Sequence, residues 1–383
     1  MVHFLSGTIT NTNPISSPVF LSHNICTFIC NRHTHTHTHT LAFAASLRLL
    51  EVTDHPVMTG NSSRTHLDNA TLSLFQNVNT SIAISIIYMI VTGINLVGNG
   101  LSMWLLLFRT TPKTPSIIFM INLTLTDLAL GTALPFQISY QLHGYNWTLG
   151  SRMCSFLTLV FYTNMYCSIL TMMAIGIDRY MGIVKPMSFR KNKRKAVAIF
   201  SCFLMWSLVL SILHPLMTTD LTFEIPELRI TTCFDVLKKA MLPSVASWSA
   251  FLFSLVFALF LFPFCVTTFC YVSVIRKLAR DSKTAQKKRA IRLAFVVLLV
   301  FVLCFAPNNI LLLVHSVLRL FFDKSVYMAY KLSLCLSCLN SCLDPFIYYF
   351  ASKDFRMKLR EMVNLPSVTS ADSMKMETLY SGQ

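Results

Sequence analysis

Seven apolar runs, each about 20 residues or longer, constrain this sequence more than any other feature: roughly 82–108, 117–142, 154–183, 196–217, 245–275, 293–318 and 327–351. A helix rises about 1.5 Å per residue, so each run is long enough to cross about 30 Å of hydrocarbon. Within lipid, a helix satisfies its own backbone hydrogen bonds. The expected fold is therefore all-α, a seven-transmembrane helix bundle. Composition agrees: 54% of the 383 residues are hydrophobic and only 13% are charged, far from the balance of a soluble domain.

The basic residues set the expected orientation. Of 32 Lys and Arg, 22 follow the first, third, fifth and seventh runs or sit at a run end beside such a loop, which makes those loops cytoplasmic and the N-terminus extracellular. The net charge of +16 thus reads as membrane topology and not as a nucleic-acid footprint. Glycosylation sequons agree, with Asn61, Asn69 and Asn79 before the first run and Asn146 after the second. Asn122 also heads a sequon but lies inside a run, where it should stay unmodified.

Residues 1–57 differ from the rest. "NRHTHTHTHTL" alternates His and Thr, with Cys26 and Cys30 just upstream; a biased segment with no packing role is the main reading, and a metal-binding tail the other. Met58 is expected to be the functional start, opening an extracellular tail over 58–81. No convincing cleavable signal peptide precedes the first run. The expected division continues with the transmembrane domain at 82–351, an amphipathic helix at 352–363 with Phe355 and Leu359 facing lipid, and a cytoplasmic tail at 364–383.

Polar residues inside the runs are costly and therefore suspects for function. They fall in a fixed order: "GN" at Gly98 and Asn99, "NLTLTDL" with Asp127, "GIDRY" with Asp178, Arg179 and Tyr180, Trp206, Pro263 with Tyr271, "CFAP" with Pro307, and "CLNSCLDPFIYYF" with Asn340, Asp344, Pro345 and Tyr348. An anchor needs none of them. The set resembles the rhodopsin-like (class A) G-protein-coupled receptors over residues 82–362. "FYTNMYCSILTM", "DRYMGIVKPM", "TCFDV" and the Asp of "LDPFIYYF" resemble the branch holding the metabotropic purinoceptors and the lysophospholipid, protease-activated and leukotriene receptors.

The resemblance implies roles for these residues. Asp178, Arg179 and Tyr180, with Tyr271, Pro307, Pro345 and Tyr348, would form the switch that meets the G protein, the prolines permitting helices to pivot. Phe305 stands where a Trp is more usual. Asp127, Asn164, Ser168, Asn340 and Asp344 would meet at one level and hold a sodium ion; a hydrogen-bonded network with water is the other reading. Two neighbouring carboxylates need a cation or a shared proton. Cys154 and Cys233 would form a disulfide, as an extracellular pair in an oxidising compartment favours. The other cysteines of the runs should be reduced small hydrophobes.

Nucleotide-responsive members of the branch carry basic residues in the sixth helix where this sequence has Asn309 and Leu312. The seventh helix retains only Lys331, with Leu334 three residues on. A rim of Arg229, Lys238, Lys239, His315, Arg319 and Lys331 over an aromatic floor of Phe161, Tyr162 and Tyr166 instead suits an acidic lipid or lipid conjugate. Alternatives are a nucleotide-activated purinoceptor and a membrane transporter, although no internal repeat points to the latter. An enzyme is not expected: neither HExxH nor GxSxG occurs, and the one CxxC, Cys335 to Cys338, lies inside the seventh run. Implied partners are heterotrimeric G proteins of the twelve/thirteen class, with the inhibitory class as a second; membrane lipids; and receptor kinases with arrestin at a Ser/Thr-bearing tail, all at the plasma membrane.

Overall fold

A computed structural model describes residues 72, 75–185, 191–235, 242–280, 285–322, 326–351 and 353–362. Residues 1–65 lie outside them. Seven long helices build the unit that follows: α1 Val78–Arg109, α2 Pro115–Leu142, α3 Gly150–Ile183, α4 Lys191–Thr218, α5 Val245–Arg280, α6 from Ala285 to Phe322, and α7 Tyr327–Ala351. The short α8, Lys353–Met362, follows directly. An antiparallel hairpin, β1 Thr222–Ile225 and β2 Ile230–Cys233, joins α4 to α5, with Thr222 opposite Cys233 and Ile225 opposite Ile230.

Capping side chains fix the starts of three helices. Asn77 accepts the Thr80 N–H, Thr114 accepts the Ile117 N–H with Pro115 in the first turn, and Ser244 accepts the Ser247 N–H. Lys113 closes the far end of α1: its ammonium donates to the carbonyl oxygens of Leu106, Leu107 and Thr110, groups that the last turn leaves without helical partners. Partial burial pulls the Lys113 ammonium below its usual pKa.

Prolines shape α5 and α6 in a way their positions alone do not specify. A wide π-helical turn covers Ser254–Leu261 just before Pro263, and another covers Phe301–Phe305 just before Pro307. The proline ring presses on the carbonyl four residues back and removes a hydrogen bond, so the preceding turn widens. Phe301 and Phe305, fully buried there, meet edge to face with centroids 5.5 Å apart.

Helix approach also depends on glycine. A Cβ on Gly98 would lie 3.1 Å from Cγ of Pro345, so a side chain at 98 would press on the proline ring where α1 meets α7.

One expectation is corrected. Phe355 does not face lipid: it is 2% exposed and packs with Leu105, Leu106, Ile117, Met120 and Leu123. Partly buried Leu359 joins the same cluster. Protein wins over lipid because α8 runs back under the ends of α1 and α2, where a large aromatic side chain fills a gap that acyl chains would pack less densely.

Candidate functional site

Two polar centres lie in the bundle, one toward the disulfide end and one in its middle, and a charged cluster marks the opposite, basic end.

The outer centre is assembled by the disulfide. Cys233 is bonded to Cys154 at the start of α3, which draws the hairpin over the helices and delivers Asp235. Its carboxylate meets the Lys331 ammonium of α7 at 2.6 Å, with both side chains at most 4% exposed. The Tyr140 hydroxyl donates to the other carboxylate oxygen at 2.6 Å and accepts the Cys233 N–H. The Lys331 ammonium also lies about 6 Å over the rings of Tyr145 and Tyr327, a cation held by π faces as well as by its counter-ion. Tyr145, in the turn after α2, is fully buried; burial and the Asp235 carboxylate push its hydroxyl pKa up to about 12.

Lys331 is therefore an internal ion pair and not a rim cation. His315 is likewise buried and stacks on Tyr330, while Arg229 is exposed in the hairpin turn with φ 52°. The rim drawn from the sequence thus keeps only Arg229 at the surface among the described side chains; the side chain of Arg319 and residues Lys238 and Lys239 lie outside them. Below the ion pair, a cavity of about 60 Å³ is lined by Phe161, Tyr162, Phe234 and Tyr330 together with both charged residues. Tyr162 hydrogen-bonds Tyr330 and stacks on Tyr166, whose hydroxyl donates to Asn309 at 3.3 Å. Phe161 and Tyr162 thus line the cavity, while Tyr166 and Asn309 adjoin it through Tyr162. Asp235 is the partner that residue types alone could not assign; an acid following a loop cysteine was the available hint.

The inner centre links four of the five residues expected there, with Ser168 buried on α3. Asn164 donates to one oxygen of Asp127 at 2.9 Å, and Asn340 donates to one oxygen of Asp344 at 3.0 Å. The two carboxyl groups lie close enough to couple electrostatically. The remaining oxygen of each, the Ser168 hydroxyl and the Asn340 amide oxygen are buried with no hydrogen-bond partner. Asn99 contributes a further unpartnered oxygen nearby in the network, while its amide donates to Asn95 and to the Ser341 carbonyl. Unpartnered oxygens beside two coupled carboxyl groups are the donor type that suits a small hard cation. No group of three or more His, Cys, Asp or Glu that could hold a metal occurs among the described residues, and Cys335 and Cys338 are buried thiols.

At the basic end, Asp178 is held by the Ser116 hydroxyl at 2.9 Å and by Arg194 of α4 at 3.3 Å. Arg179 lies within electrostatic reach of buried Tyr271, whose ring packs on Gly176. Tyr180 contacts Phe269, with centroids 5.7 Å apart. Arg194 was not singled out from the sequence, because one cation in "FRKNKRK" looks like another. The side chain of Tyr348 lies outside the described ones.

Of the sequons, Asn61 and Asn69 lie outside the described residues. Asn79 is exposed in the first turn of α1, and Asn146 accepts the Thr231 N–H through its amide oxygen. Asn122 is buried, donating to Thr171 and accepting from Trp206.

Residues 98–348 match the family described as 7 transmembrane receptor (rhodopsin family). Purinoceptor 8 of Gallus gallus is 51% identical over 323 residues, covering 83% of this chain and 90% of the relative. The S-geranylgeranyl-glutathione receptor of Homo sapiens is 48% identical over 321 residues, covering 82% and 89%. Proteinase-activated receptor 2 of Mus musculus is 41% identical over 315 residues, covering 81% and 78%.

Proposed function

Because this chain belongs to the rhodopsin family of seven-transmembrane receptors, a multi-pass membrane receptor and not an enzyme, we propose that it answers an extracellular acidic lipid conjugate by activating G proteins of the twelve/thirteen class. The reading puts the disulfide end outside the plasma membrane and the basic end inside, as the positive-inside rule asks.

The observation that carries the ligand class is the buried Lys331–Asp235 pair above an aromatic cavity. A ligand acid can take over the contact that Asp235 makes with Lys331, while its apolar portion lies against Phe161, Tyr162 and Tyr166. A relative whose name gives S-geranylgeranyl-glutathione as its ligand supports the same class: an acidic peptide joined to an isoprenoid. A polyphosphate is served less well, because the sixth helix offers Asn309 and Leu312 where cations would be needed. In this reading the inner centre holds sodium in the resting receptor, and Asp178, Arg179, Tyr180, Tyr271 and Tyr348 transmit the change, with Pro307 and Pro345 as pivots. Glycans on the outer sequons and a tail read by receptor kinases and arrestin complete the proposal.

The test is ligand-dependent nucleotide exchange on purified G proteins of the twelve/thirteen and inhibitory classes, with the receptor in nanodiscs. S-geranylgeranyl-glutathione, lysophospholipids and nucleotides form the panel. Exchange driven by an acidic lipid and not by nucleotides is expected; a nucleotide response of the wild-type receptor would replace this reading with a purinoceptor.

A further inference from the structure

A cleft of about 320 Å³ opens between α2, α3 and α4 at the basic end, remote in chemistry from both polar centres. Small side chains shape it: Ala174 on α3 and Ala198 and Ser201 on α4 leave a trough with Phe119 as an apolar wall. Ile177 and Val197 flank the trough and are exposed, so it opens on the face that meets hydrocarbon. Its end is different in character. Lys193 is exposed there, and Arg194 is half-exposed with its guanidinium on Asp178.

An apolar trough ending in two cations at the membrane interface has the charge order of one class of molecule. Acyl chains fill slots left by alanines, while a phosphate headgroup sits at the depth where Lys and Arg reach the interface. A zwitterionic headgroup brings no net charge to these two cations, whereas an anionic one brings a net negative charge.

We propose that this cleft binds an anionic phospholipid, with an acyl chain in the trough and the headgroup on Lys193 and Arg194, competing with Asp178 for Arg194. Asp178 precedes Arg179 in the chain, so occupancy of the cleft changes the charge environment of the proposed signalling switch. The binding claim itself needs no assumption about ligand or G protein.

The experiment is native mass spectrometry of the purified full-length receptor incubated with phosphatidylserine or phosphatidylcholine. Phosphatidylserine adducts should exceed phosphatidylcholine adducts, and replacing both cations in Lys193→Ala with Arg194→Ala should lower the former about fivefold per cation. Ser201→Phe, which narrows the trough without touching charge, should lower both lipids, with thermal unfolding confirming that each variant is folded. Asp178→Asn should raise phosphatidylserine retention by releasing Arg194. Equal retention of the two lipids, insensitivity to the double alanine variant or to Ser201→Phe, or displacement by tail-less glycerophosphoserine would each overturn the site. Unchanged retention in Asp178→Asn would overturn the competition.

Discussion

The outer and inner polar centres are both buried and both built on acids, yet they are completed differently. In the outer centre each oxygen of Asp235 has a donor, from Lys331 and Tyr140. In the inner centre Asp127 and Asp344 each have one oxygen served by an asparagine and one left bare. A buried charge with its partner in place holds structure together, whereas removal of one member leaves an uncompensated ion. Two buried carboxyl groups that couple to each other need a shared proton or a cation between them. The contrast separates a lock made wholly of protein from a site that a cation or proton completes.

The sharpest way to break the contrast is Lys331→Ala. It strands Asp235 and should cost about 3–5 kcal/mol of stability, read as a large fall in the unfolding temperature of the purified receptor. Lys331→Met combined with Asp235→Asn removes both charges and should recover most of that loss. If the single and double variants were equally unstable, the pair would not be the lock.

The inner centre should respond to sodium instead. With sodium at 100 times its dissociation constant, wild-type stability should rise by about 2.7 kcal/mol relative to choline at equal ionic strength. Asp344→Asn should abolish most of that increment while leaving the outer pair intact. A sodium effect of the same size in Asp344→Asn would favour a water-filled network.

The smallest effect concerns pH and reports only on the outer centre. Tyr145 has its hydroxyl pKa raised to about 12 against an ordinary value of 10.0. Between those values the unfolded chain has lost the proton that the folded chain keeps, so stability is full below pH 10 and falls as pH rises toward 12. Tyr145→Phe should flatten this part of the unfolding-temperature profile measured from pH 9 to 11, with no change near neutrality in its slope.

Much of this was legible in the chain itself. Apolar runs matched to bilayer thickness announced seven helices, and polar residues inside them stood out because lipid makes them expensive. The resemblance to rhodopsin-like receptors, and not hydropathy, grouped Asp127, Asn164, Ser168, Asn340 and Asp344 and matched Cys154 with Cys233. The fate of Lys331 was not legible. Its partner lies 96 residues away in a loop, and one-dimensional patterns say nothing about which loop acid a disulfide will carry inward. Phe355 failed for a related reason: amphipathicity tells which face of a helix is apolar but not whether protein or lipid covers it. Arg194 was hidden among like charges until α4 packed beside α3.

By itself, the sequence determined the helices, their number and the residues too costly to be incidental, since each of these follows from local hydropathy and the energetics of a polar group in lipid. Only the tertiary structure decided that Lys331 is satisfied by Asp235, that Asn164 of α3 donates to Asp127 of α2 while Asp344 of α7 couples to it, and that a trough remains beside Asp178. Those outcomes depend on distances between segments far apart in the chain, where a shift of a few ångströms separates an ion pair from an unpaired charge.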